Sequence, residues 1–201
     1  MARKMKDPRS GWNVRWQEKE GHPFDPDPWL VKIREMLPAG RALDIAGGRG
    51  RNALFLAERG MSVLAIDVSE EALEQLGSEA SRRGLRIETL RADLEGEPWL
   101  PEETFDLVID FFFLYRPLLP LLREAVKPGG MAVVRTFSSA GSFPGGPGNP
   151  DFVLRPGELL EIFEGWEILL HEEGLEPSRK GGSLAGIVAR RPKETGSGTA
   201  P

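Results

Sequence analysis

The hydrophobic residues of this chain recur with two different spacings, one typical of strands and one typical of helices. Short apolar runs predict β-strands at 41–46, 61–66, 86–90, 105–110 and 131–137. The amphipathic segments that separate them predict helices at 51–59, 69–83 and 116–126. Because strands and helices alternate, we expect an α/β fold whose parallel sheet is covered by helices on both faces.

The last third of the chain breaks this alternation. A loop rich in glycine and proline occupies 138–150, and a helix is expected to begin near Pro156, with Glu158 in its first turn. Two closing strands are then predicted, one in WEILLHEEG and one in SLAGIVARR. The expected architecture is a doubly wound, mostly parallel seven-stranded sheet with an antiparallel strand near the carboxyl terminus.

The chain before and after the predicted sheet domain at 41–191 has a different character. Residues 1–10 and 192–201 are expected to be flexible. Residues 11–40 hold two large aromatic residues near the start and several prolines before the first strand. This stretch is predicted to form a helical lid segment, joined to the domain by a stiff connector.

Two short helices are predicted within the lid segment. In 11–21, Trp12 and Trp16 are four positions apart, so a helix would place both indoles on one face. A second helix is expected to begin near Pro28 and to run to about Met36, because proline is favoured in the first turn of a helix.

Composition narrows the possible functions. The formal net charge of −5 argues against a duplex nucleic acid partner, and no apolar run is long enough to span a membrane. The start lacks the apolar core of a signal peptide, so a cytoplasmic protein is expected. Cysteine is absent, which excludes thiolate metal sites and cysteine nucleophiles, and the only histidines, His22 and His171, are far apart. No metal site is therefore expected.

The first strand runs into a glycine-rich turn with a carboxylate beside it. The sequence ALDIAGGRGRNALFLAERG contains G-R-G-R-N-A, which fits the dinucleotide-binding pattern G-x-G-x-x-G/A. Glycine allows a ligand to approach the backbone closely. Asp44 would repel a pyrophosphate but suits a ligand with a positively charged amino group. S-adenosylmethionine is therefore preferred to a nicotinamide dinucleotide.

Further carboxylates follow the next strands. Asp67 ends the second strand, where an acidic residue can accept both hydroxyls of a ribose, or can simply cap the following helix. Asp93 follows the third strand, where it is either an adenine contact or a solvated turn residue. Ligands bind outside the carboxyl ends of parallel strands, so the series Asp44, Asp67 and Asp93 favours one shared site.

With these residues in view, the chain resembles the class I S-adenosylmethionine-dependent methyltransferases. The resemblance rests, in order, on LDIAGGRGRNALFLA, VLAIDVS, LRADLEG, FDLVIDFFFLYR and REAVKPGGMAVVRTF, and it extends over 11–191. WNVRWQEKEGHPF and NPDFVLRPGELLEIFEGWEIL are similar to a small branch that includes tellurite-resistance-type methyltransferases. That family usually has glycine where this chain has Ala46, and often tyrosine where it has Trp16.

The resemblance implies a Rossmann-like methyltransferase fold and a set of contacts to S-adenosylmethionine. Asp44 and the backbone of Ala46 and Gly48 would hold its methionine part, and Asp67 its ribose. Val68 would pack near the adenine, whose edge Asp93 and Leu94 would read, and Asp110 would lie near the sulfonium. The full set of implied cofactor-binding residues is Trp16, Asp44, Ala46, Gly47, Gly48, Gly50, Asn52, Asp67, Val68, Asp93, Leu94 and Asp110.

The methyl acceptor is expected to be a small molecule. Enzymes that methylate amino groups of nucleic acids carry an acidic or amide residue followed by Pro-Pro-aromatic, whereas this chain has Asp-Phe-Phe-Phe from Asp110. Methylation of cytosine at C5 needs a cysteine, which is absent. Candidate catalytic residues are Arg116 as an anion clamp and Tyr115 or His22 as a proton acceptor. Weaker candidates are Arg135, Arg155 and Arg179.

Two other functions remain open at this point. An NAD(P)-dependent oxidoreductase would use the same glycine turn, although Asp44 disfavours it. A non-catalytic S-adenosylmethionine-binding protein is also compatible with the residues, because methyl transfer from a sulfonium relies mainly on proximity and orientation. The oligomeric state is not indicated by any pattern in the chain.

Overall fold

A computed structural model of the chain describes residues 8–193, so most of the two termini predicted to be flexible lies outside the described residues. One mixed sheet of seven strands forms the centre, with the strand order β3-β2-β1-β4-β5-β7-β6. The strands are β1 (Arg41–Ile45), β2 (Ser62–Asp67), β3 (Ile87–Arg91), β4 (Phe105–Phe111), β5 (Val126–Phe137), β6 (Glu167–Pro177) and β7 (Ser183–Arg190).

The direction of the strands confirms the predicted doubly wound sheet. Strands β1 to β5 pair in parallel, and β7 runs antiparallel to both β5 and β6. The helices are α1 (Pro8–Gln17), α2 (Pro28–Lys32), α3 (Arg51–Glu58), α4 (Glu70–Arg83), α5 (Leu119–Ala125) and α6 (Glu158–Ile162). Buried apolar clusters lie on both faces of the sheet, so both faces are covered as expected.

Several element boundaries differ from the prediction because of proline and glycine. The helix predicted over 116–126 begins with a 3₁₀ turn, Arg116–Leu118, and becomes α5 only with Pro120 in its first turn. The helix expected near Pro156 begins two residues later, because Gly157 has a left-handed φ of +75°. Strand β5 starts at Val126, where the end of a helix was predicted.

The amino-terminal helices lie against the sheet domain. Helix α1 starts at Pro8 and ends at Gln17, earlier at both ends than the predicted 11–21. Helix α2 starts at Pro28 as predicted and ends at Lys32, and a 3₁₀ turn continues to Met36. None of the helices within residues 8–193 combines the length and the apolar character needed to cross a bilayer.

A candidate site for cofactor and acceptor

The loop between β1 and α3 packs closely against Asp44 and Trp16. Ala46 and Gly48 have positive φ angles of +49° and +57°. A Cβ on Gly47 would stand 2.7 Å from Asp44 Oδ2, and one on Gly48 would stand 2.6 Å from the Trp16 ring. No side chain fits at either glycine, because the Asp44 carboxylate and the Trp16 ring already lie against the backbone there. The positive φ of Ala46 explains why glycine is usual at this position.

Two residues of the glycine motif have packing partners in the structure. A Cβ on Gly50 would stand 2.3 Å from Leu76 Cδ1, so this glycine allows α3 and α4 to approach each other. Asn52 is buried, and its Oδ1 accepts a hydrogen bond of 2.9 Å from the Asp27 N–H. Their predicted contacts with the cofactor therefore stay predictions, and each residue has a structural role of its own.

Three carboxylates at the carboxyl ends of neighbouring strands are buried together. Asp44 on β1 is 1% exposed, Asp67 on β2 8% and Asp110 on β4 2%. Burial, and then the negative charge of Asp67, raise the pKa of Asp44 to about 7. Burial holds the pKa of Asp110 well above its ordinary value, against the hydrogen bond from the Phe113 N–H and with a contribution from Asp44.

Two of these carboxylates carry unpaired oxygens. Within residues 11–193, Asp44 Oδ2 and Asp110 Oδ1 are buried without a hydrogen-bond partner. A buried oxygen left in this state costs free energy, and a positively charged hydrogen-bond donor would remove that cost. The site is therefore prepared for a cationic or N–H-bearing group near Asp44 and Asp110.

Asp67 holds the shape of the glycine loop. Its Oδ2 accepts a hydrogen bond of 2.8 Å from the Gly48 N–H, and its Oδ1 accepts one of 2.8 Å from the Ser69 N–H. Burial raises the pKa of Asp67, and backbone N–H groups oppose that rise. A carboxylate oxygen has two lone pairs, so each oxygen can still accept a ribose hydroxyl. Ser69 caps α4 through its own hydroxyl, 3.2 Å from the Ala72 N–H.

The three residues predicted to surround the adenine differ in how far they are exposed to solvent. Val68 is half-buried and Leu94 is buried, whereas Asp93 is exposed. Asp93 Oδ1 accepts a hydrogen bond of 3.0 Å from the Glu95 N–H, as a solvated turn aspartate does. Asp93 thus lies at the solvent rim, outside the buried carboxylate group.

The amino-terminal segment lies across the glycine loop. The rings of Trp12 and Trp16 stack with centroids 6.4 Å apart, as their spacing predicted. The Trp16 carbonyl accepts a hydrogen bond of 3.3 Å from Gln75 Nε2, and the Ser69 hydroxyl lies 2.7 Å from Asn13 Oδ1. These contacts fasten α1 to α4 and bring Trp16 to the loop.

Arg49 fastens the end of the same segment. Its guanidinium donates hydrogen bonds of 2.8 Å to the Lys19 carbonyl and 3.1 Å to the His22 carbonyl, and it lies 4.2 Å from the centre of the Phe24 ring. His22, predicted as a proton acceptor, is exposed and contributes its carbonyl here. Nothing in the glycine motif predicted that Arg49 would hold the amino-terminal segment.

The other two predicted catalytic residues have structural partners. The Tyr115 hydroxyl donates to the Gly96 carbonyl at 2.8 Å and accepts from the Gly96 N–H at 3.1 Å. Arg116 Nε donates to Glu158 Oε1 at 2.7 Å, and its terminal nitrogens donate to the Asp151 and Val153 carbonyls. The guanidinium expected to clamp an anion is instead engaged in holding the 150–158 loop.

The weaker arginine candidates also differ in placement. Arg135 is buried and pairs with Glu176. Arg155 is exposed and pairs with Glu161 at 2.7 Å. Arg179 is exposed, and His171 lies within β6 as predicted. Only Arg135 among the three arginines is part of the interior.

Sequence reasoning missed Asp27 and Arg51 at the site. Asp27 is 5% exposed and caps α2, and its Oδ2 accepts a hydrogen bond of 3.0 Å from Arg51. Arg51 begins α3 next to the glycine loop, and its charge opposes the raised pKa of Asp44. The signal for Asp27 was its place before Pro28, which is typical of a helix cap.

Phe112 marks the start of a second part of the site. It follows β4 with a φ of +64°, a strained conformation for an aromatic residue. Its ring meets the Phe137 ring edge-on with centroids 5.7 Å apart, and the Arg51 guanidinium lies 5.9 Å from its centre. Phe112 therefore connects the cofactor loop to the end of β5.

Beyond Phe137 lies a cleft of about 220 Å³. Its walls are the end of β5, the glycine- and proline-rich loop and the start of β7. The lining residues are Phe137, Ser138, Ser139, Gly141, Phe143, Gly145, Gly146, Pro147, Val153, Gly182 and Ser183. The cleft is large enough for a small organic molecule. In the part of the chain that the structure describes, no group of three or more His, Cys, Asp or Glu side chains is arranged so that it could hold a metal ion.

These features fit S-adenosylmethionine. The unpaired Asp44 Oδ2 suits its amino group, and Asp67 has lone pairs for the ribose. A pyrophosphate would meet the carboxylate of Asp44 in the same place.

Comparison with known proteins agrees with this geometry. Residues 42–130 match the family described as "Methyltransferase domain". The probable S-adenosyl-L-methionine-dependent methyltransferase TehB of Haemophilus influenzae is 26% identical over 153 residues, which are 73% of this chain and 52% of that protein. Aklanonic acid methyltransferase DauC of a Streptomyces species is 36% identical over 142 residues, 66% of this chain and 64% of that protein.

A solved structure supports the fold. The crystal structure of TehB from Haemophilus influenzae superposes with a TM-score of 0.74 at 20% identity, covering 90% of this chain and 67% of that one. At this identity the likeness shows the fold alone. The chain spans about half the length of the first curated relatives that it matches.

Proposed function

We propose that this chain, which carries a class I S-adenosylmethionine-dependent methyltransferase domain, transfers the methyl group of S-adenosylmethionine to a small molecule. The observation that carries the proposal is the buried, unpaired Asp44 Oδ2 beneath a glycine loop that has no room for side chains. An amino acid ligand supplies the positive donor that this oxygen lacks. The match of residues 42–130 to the methyltransferase domain supports the same cofactor.

A nicotinamide dinucleotide would fit this site poorly. Dinucleotide-binding folds place a pyrophosphate at the start of the helix that follows the glycine turn. Here Asp44 and Asp110 are buried at that turn, and ionisation of either would repel a phosphate. The oxidoreductase alternative is therefore disfavoured by the charge of the site.

The residues of the chain have to orient the reactants rather than activate them. S-adenosylmethionine supplies a methyl group on a sulfonium, whose departure as a neutral thioether needs no acid. Asp44 would hold the amino group, the loop backbone the methionine chain and Asp67 the ribose, which fixes the methyl group toward the end of β4. Asp110, which is buried, would help to keep that region free of bulk water.

The acceptor would lie in the cleft beyond Phe112 and Phe137. Among the relatives, DauC is named for methylation of aklanonic acid, a small molecule. The cleft of about 220 Å³ adjoins Phe112 through Phe137, and it would take only part of an acceptor of that class. The Tyr115 hydroxyl is bonded to Gly96, Arg116 is paired with Glu158, and His22 is exposed with only its carbonyl engaged, so we propose no general base among them.

The proposal is tested by binding and by turnover. Calorimetry should show that S-adenosylmethionine and S-adenosylhomocysteine bind and raise the melting temperature, while NADH and NADPH do neither. A panel of small-molecule acceptors with a radiolabelled methyl donor then tests transfer. Binding of a dinucleotide in place of the sulfonium would contradict the proposal. Cofactor binding without transfer to any acceptor would favour the non-catalytic alternative.

A further inference from the structure

A second and larger cleft lies next to the cleft beyond Phe137. Its volume is about 610 Å³, nearly three times the 220 Å³ of the first cleft. Ser139, Pro147 and Val153 line both, so the two clefts adjoin along these three residues. The residues that line only the second cleft are Arg116, Gly148, Pro150, Asp151, Leu154 and Arg155.

The first cleft alone is small for an organic ligand. Sites for such ligands usually have volumes of about 300–1,000 Å³. The first cleft falls below that range, whereas the two clefts together fall within it. The reacting end of an acceptor belongs in the first cleft, because Phe137 on its wall packs against Phe112, which follows β4. An acceptor that fills the site then extends past Val153 into the second cleft.

The segment shared by the two clefts is held in place by hydrogen bonds. The Ser139 N–H and hydroxyl both donate to the Leu154 carbonyl, at 2.9 Å and 3.0 Å. The Leu154 N–H donates to the Phe137 carbonyl at 2.8 Å, and Arg116 donates to the Val153 carbonyl at 2.9 Å. The passage between the clefts is therefore formed by the fold before any ligand binds.

The second cleft combines apolar side chains with a fixed guanidinium. Arg116 donates to Glu158 at 2.7 Å and to two backbone carbonyls, so its charge and its N–H groups are already engaged. Val153, Pro147 and Pro150 form the neighbouring wall. A guanidinium whose N–H groups are engaged still interacts through its flat face, for which aromatic rings are the usual partners. The second cleft thus suits an aromatic ring.

We propose that the methyl acceptor is an elongated aryl compound, whose reacting end lies in the first cleft beside Phe137 and whose further aromatic ring lies in the second cleft along Val153 and Arg116. This inference rests on the proposed function, since it describes the acceptor of the same site. A compound of one or two fused rings that ends within the first cleft would leave the larger cleft unused and would bind weakly.

A matched pair of probes tests the length of the acceptor. 7-Hydroxychromone and 7-hydroxyflavone differ only by the phenyl ring at position 2, and calorimetry measures their affinity for the full chain saturated with S-adenosylhomocysteine. We expect 7-hydroxyflavone to bind at least tenfold more tightly, because its phenyl ring buries apolar surface in the second cleft. Val153→Phe should remove most of this preference by narrowing the passage. Leu160→Phe, on an exposed position of α6 outside both clefts, should keep it.

Protection of an introduced cysteine tests where the phenyl ring lies. The chain has no cysteine of its own, so a single one reacts alone with iodoacetamide. Asp151→Cys puts a thiol in the second cleft and Phe143→Cys puts one in the first. We expect 7-hydroxyflavone to slow the modification of both variants at least fivefold, and 7-hydroxychromone to slow that of Phe143→Cys alone. Leu160→Cys is the control and should react at the same rate with either probe.

Several results would overturn the inference. These are equal affinity for the two probes, no binding of 7-hydroxyflavone, or a full preference for it in folded Val153→Phe. Protection of Asp151→Cys by 7-hydroxychromone would also do so, because the second cleft would then bind a short ligand by itself. The cysteine experiment does not depend on the folding of Val153→Phe. Failure of the unaltered chain to bind S-adenosylhomocysteine would instead refute the proposed function itself.

Discussion

The two halves of the candidate site differ in burial and in charge. The half at the ends of β1, β2 and β4, here called the cofactor half, contains Asp44, Asp67 and Asp110, all less than a tenth exposed. The half at the end of β5 and in the loops at 138–150 and 178–182, here called the acceptor half, is an open cleft bordered by exposed lysine and aromatic side chains.

This difference indicates where each half obtains its selectivity. Buried carboxylates are already desolvated before a ligand arrives, so a matching cation gains a strong interaction at little reorganisation cost. The folded chain bears that cost in the absence of ligand, as the raised pKa of Asp44 shows. Exposed charges at the acceptor half are screened by water and salt, and they select more weakly.

The largest expected effect comes from removing the charge of Asp44. Asp44→Asn keeps the shape of the side chain but leaves the cofactor amino group without a counter-charge. Truncating one partner of a buried charge pair costs about 2–5 kcal/mol, so we expect S-adenosylhomocysteine to bind roughly 30-fold to 4,000-fold more weakly. Calorimetry measures this loss. An affinity within threefold of that of the unaltered chain would show that Asp44 does not contact the cofactor.

Although Asp44→Asn should weaken cofactor binding, it should increase the stability of the fold without ligand. The pKa of Asp44 is about 7 in the folded chain and near 4 in an unfolded chain. Between pH 4 and pH 7 the folded chain therefore binds one more proton than the unfolded chain. The free energy of unfolding therefore falls as pH rises from 4 to 7 and stays low above 7. Asp44→Asn should raise the free energy of unfolding at pH 8 by roughly 1–4 kcal/mol. Denaturant unfolding without ligand checks this gain, which should disappear near pH 4.

The corresponding test next to the acceptor half is Arg116→Ala, because Arg116 holds the segment that contains the cleft residue Val153. Burial alone would raise the pKa of Glu158, but Arg116 and the Arg155 N–H lower it, so Glu158 is ionised and almost fully buried. Loss of Arg116 leaves that charge unpaired and frees the Asp151 and Val153 carbonyls. Because Arg116 is partly exposed, we expect a loss of about 2–3 kcal/mol of stability rather than more.

The two halves predict different consequences for binding. Arg116→Ala should leave S-adenosylhomocysteine affinity within twofold, because the guanidinium contacts Asp151, Val153 and Glu158 and none of the cofactor-half carboxylates. Arg155→Ala is the matched control: it removes an exposed guanidinium that pairs with Glu161 and lies 3.6 Å from Glu158, keeps the backbone N–H bond to Glu158, and should cost less than about 1 kcal/mol. A tenfold loss of cofactor affinity in folded Arg116→Ala would show that the halves are not independent.

The sequence was more informative about the cofactor half, and the contrast explains why. Asp44, Asp67 and Asp110 each end an apolar strand, so strand prediction alone brings them to one edge of a parallel sheet. The resemblance to class I methyltransferases and the fold are confirmed by the domain match and by the TehB structure. The strand pattern and the family resemblance both concern residues of the cofactor half.

The acceptor half depends on partners that are distant in the chain. Arg116 meets Glu158 across 42 positions, and Arg135 meets Glu176 across 41. A single sequence has no signal for such pairs, so Arg116 was taken for an anion clamp. The strained φ of Phe112 is likewise invisible, since aromatic residues rarely adopt it and no local pattern demands it.

The pH dependence of cofactor affinity is a further test of the cofactor half. If cofactor binding requires ionised Asp44, the affinity for S-adenosylhomocysteine should fall by about tenfold between pH 8 and pH 6, as protonation at a pKa of about 7 removes the negative charge. Asp44→Asn should bind weakly with little dependence on pH over this range. A flat profile in the unaltered chain would mean that another group holds the amino group. Calorimetry in two buffers of different ionisation enthalpy would also detect the released proton.

The smallest expected effect concerns the cover of the cofactor half. The segment with Arg15, Trp16 and Lys19 is held by partly buried hydrogen bonds to α4 and Arg49, while Trp16 contacts the glycine loop. Few buried contacts hold it, so we expect it to open and close, and a bound cofactor to favour the closed state. Cleavage by trypsin at Arg15 and Lys19 should then slow about threefold to tenfold with saturating S-adenosylhomocysteine. Cleavage at Arg179 and Lys180, in the acceptor half, is the internal control and should change less. Equal cleavage at Arg15 and Lys19 with and without ligand would show that the amino-terminal segment is permanently packed, and the predicted lid would be wrong.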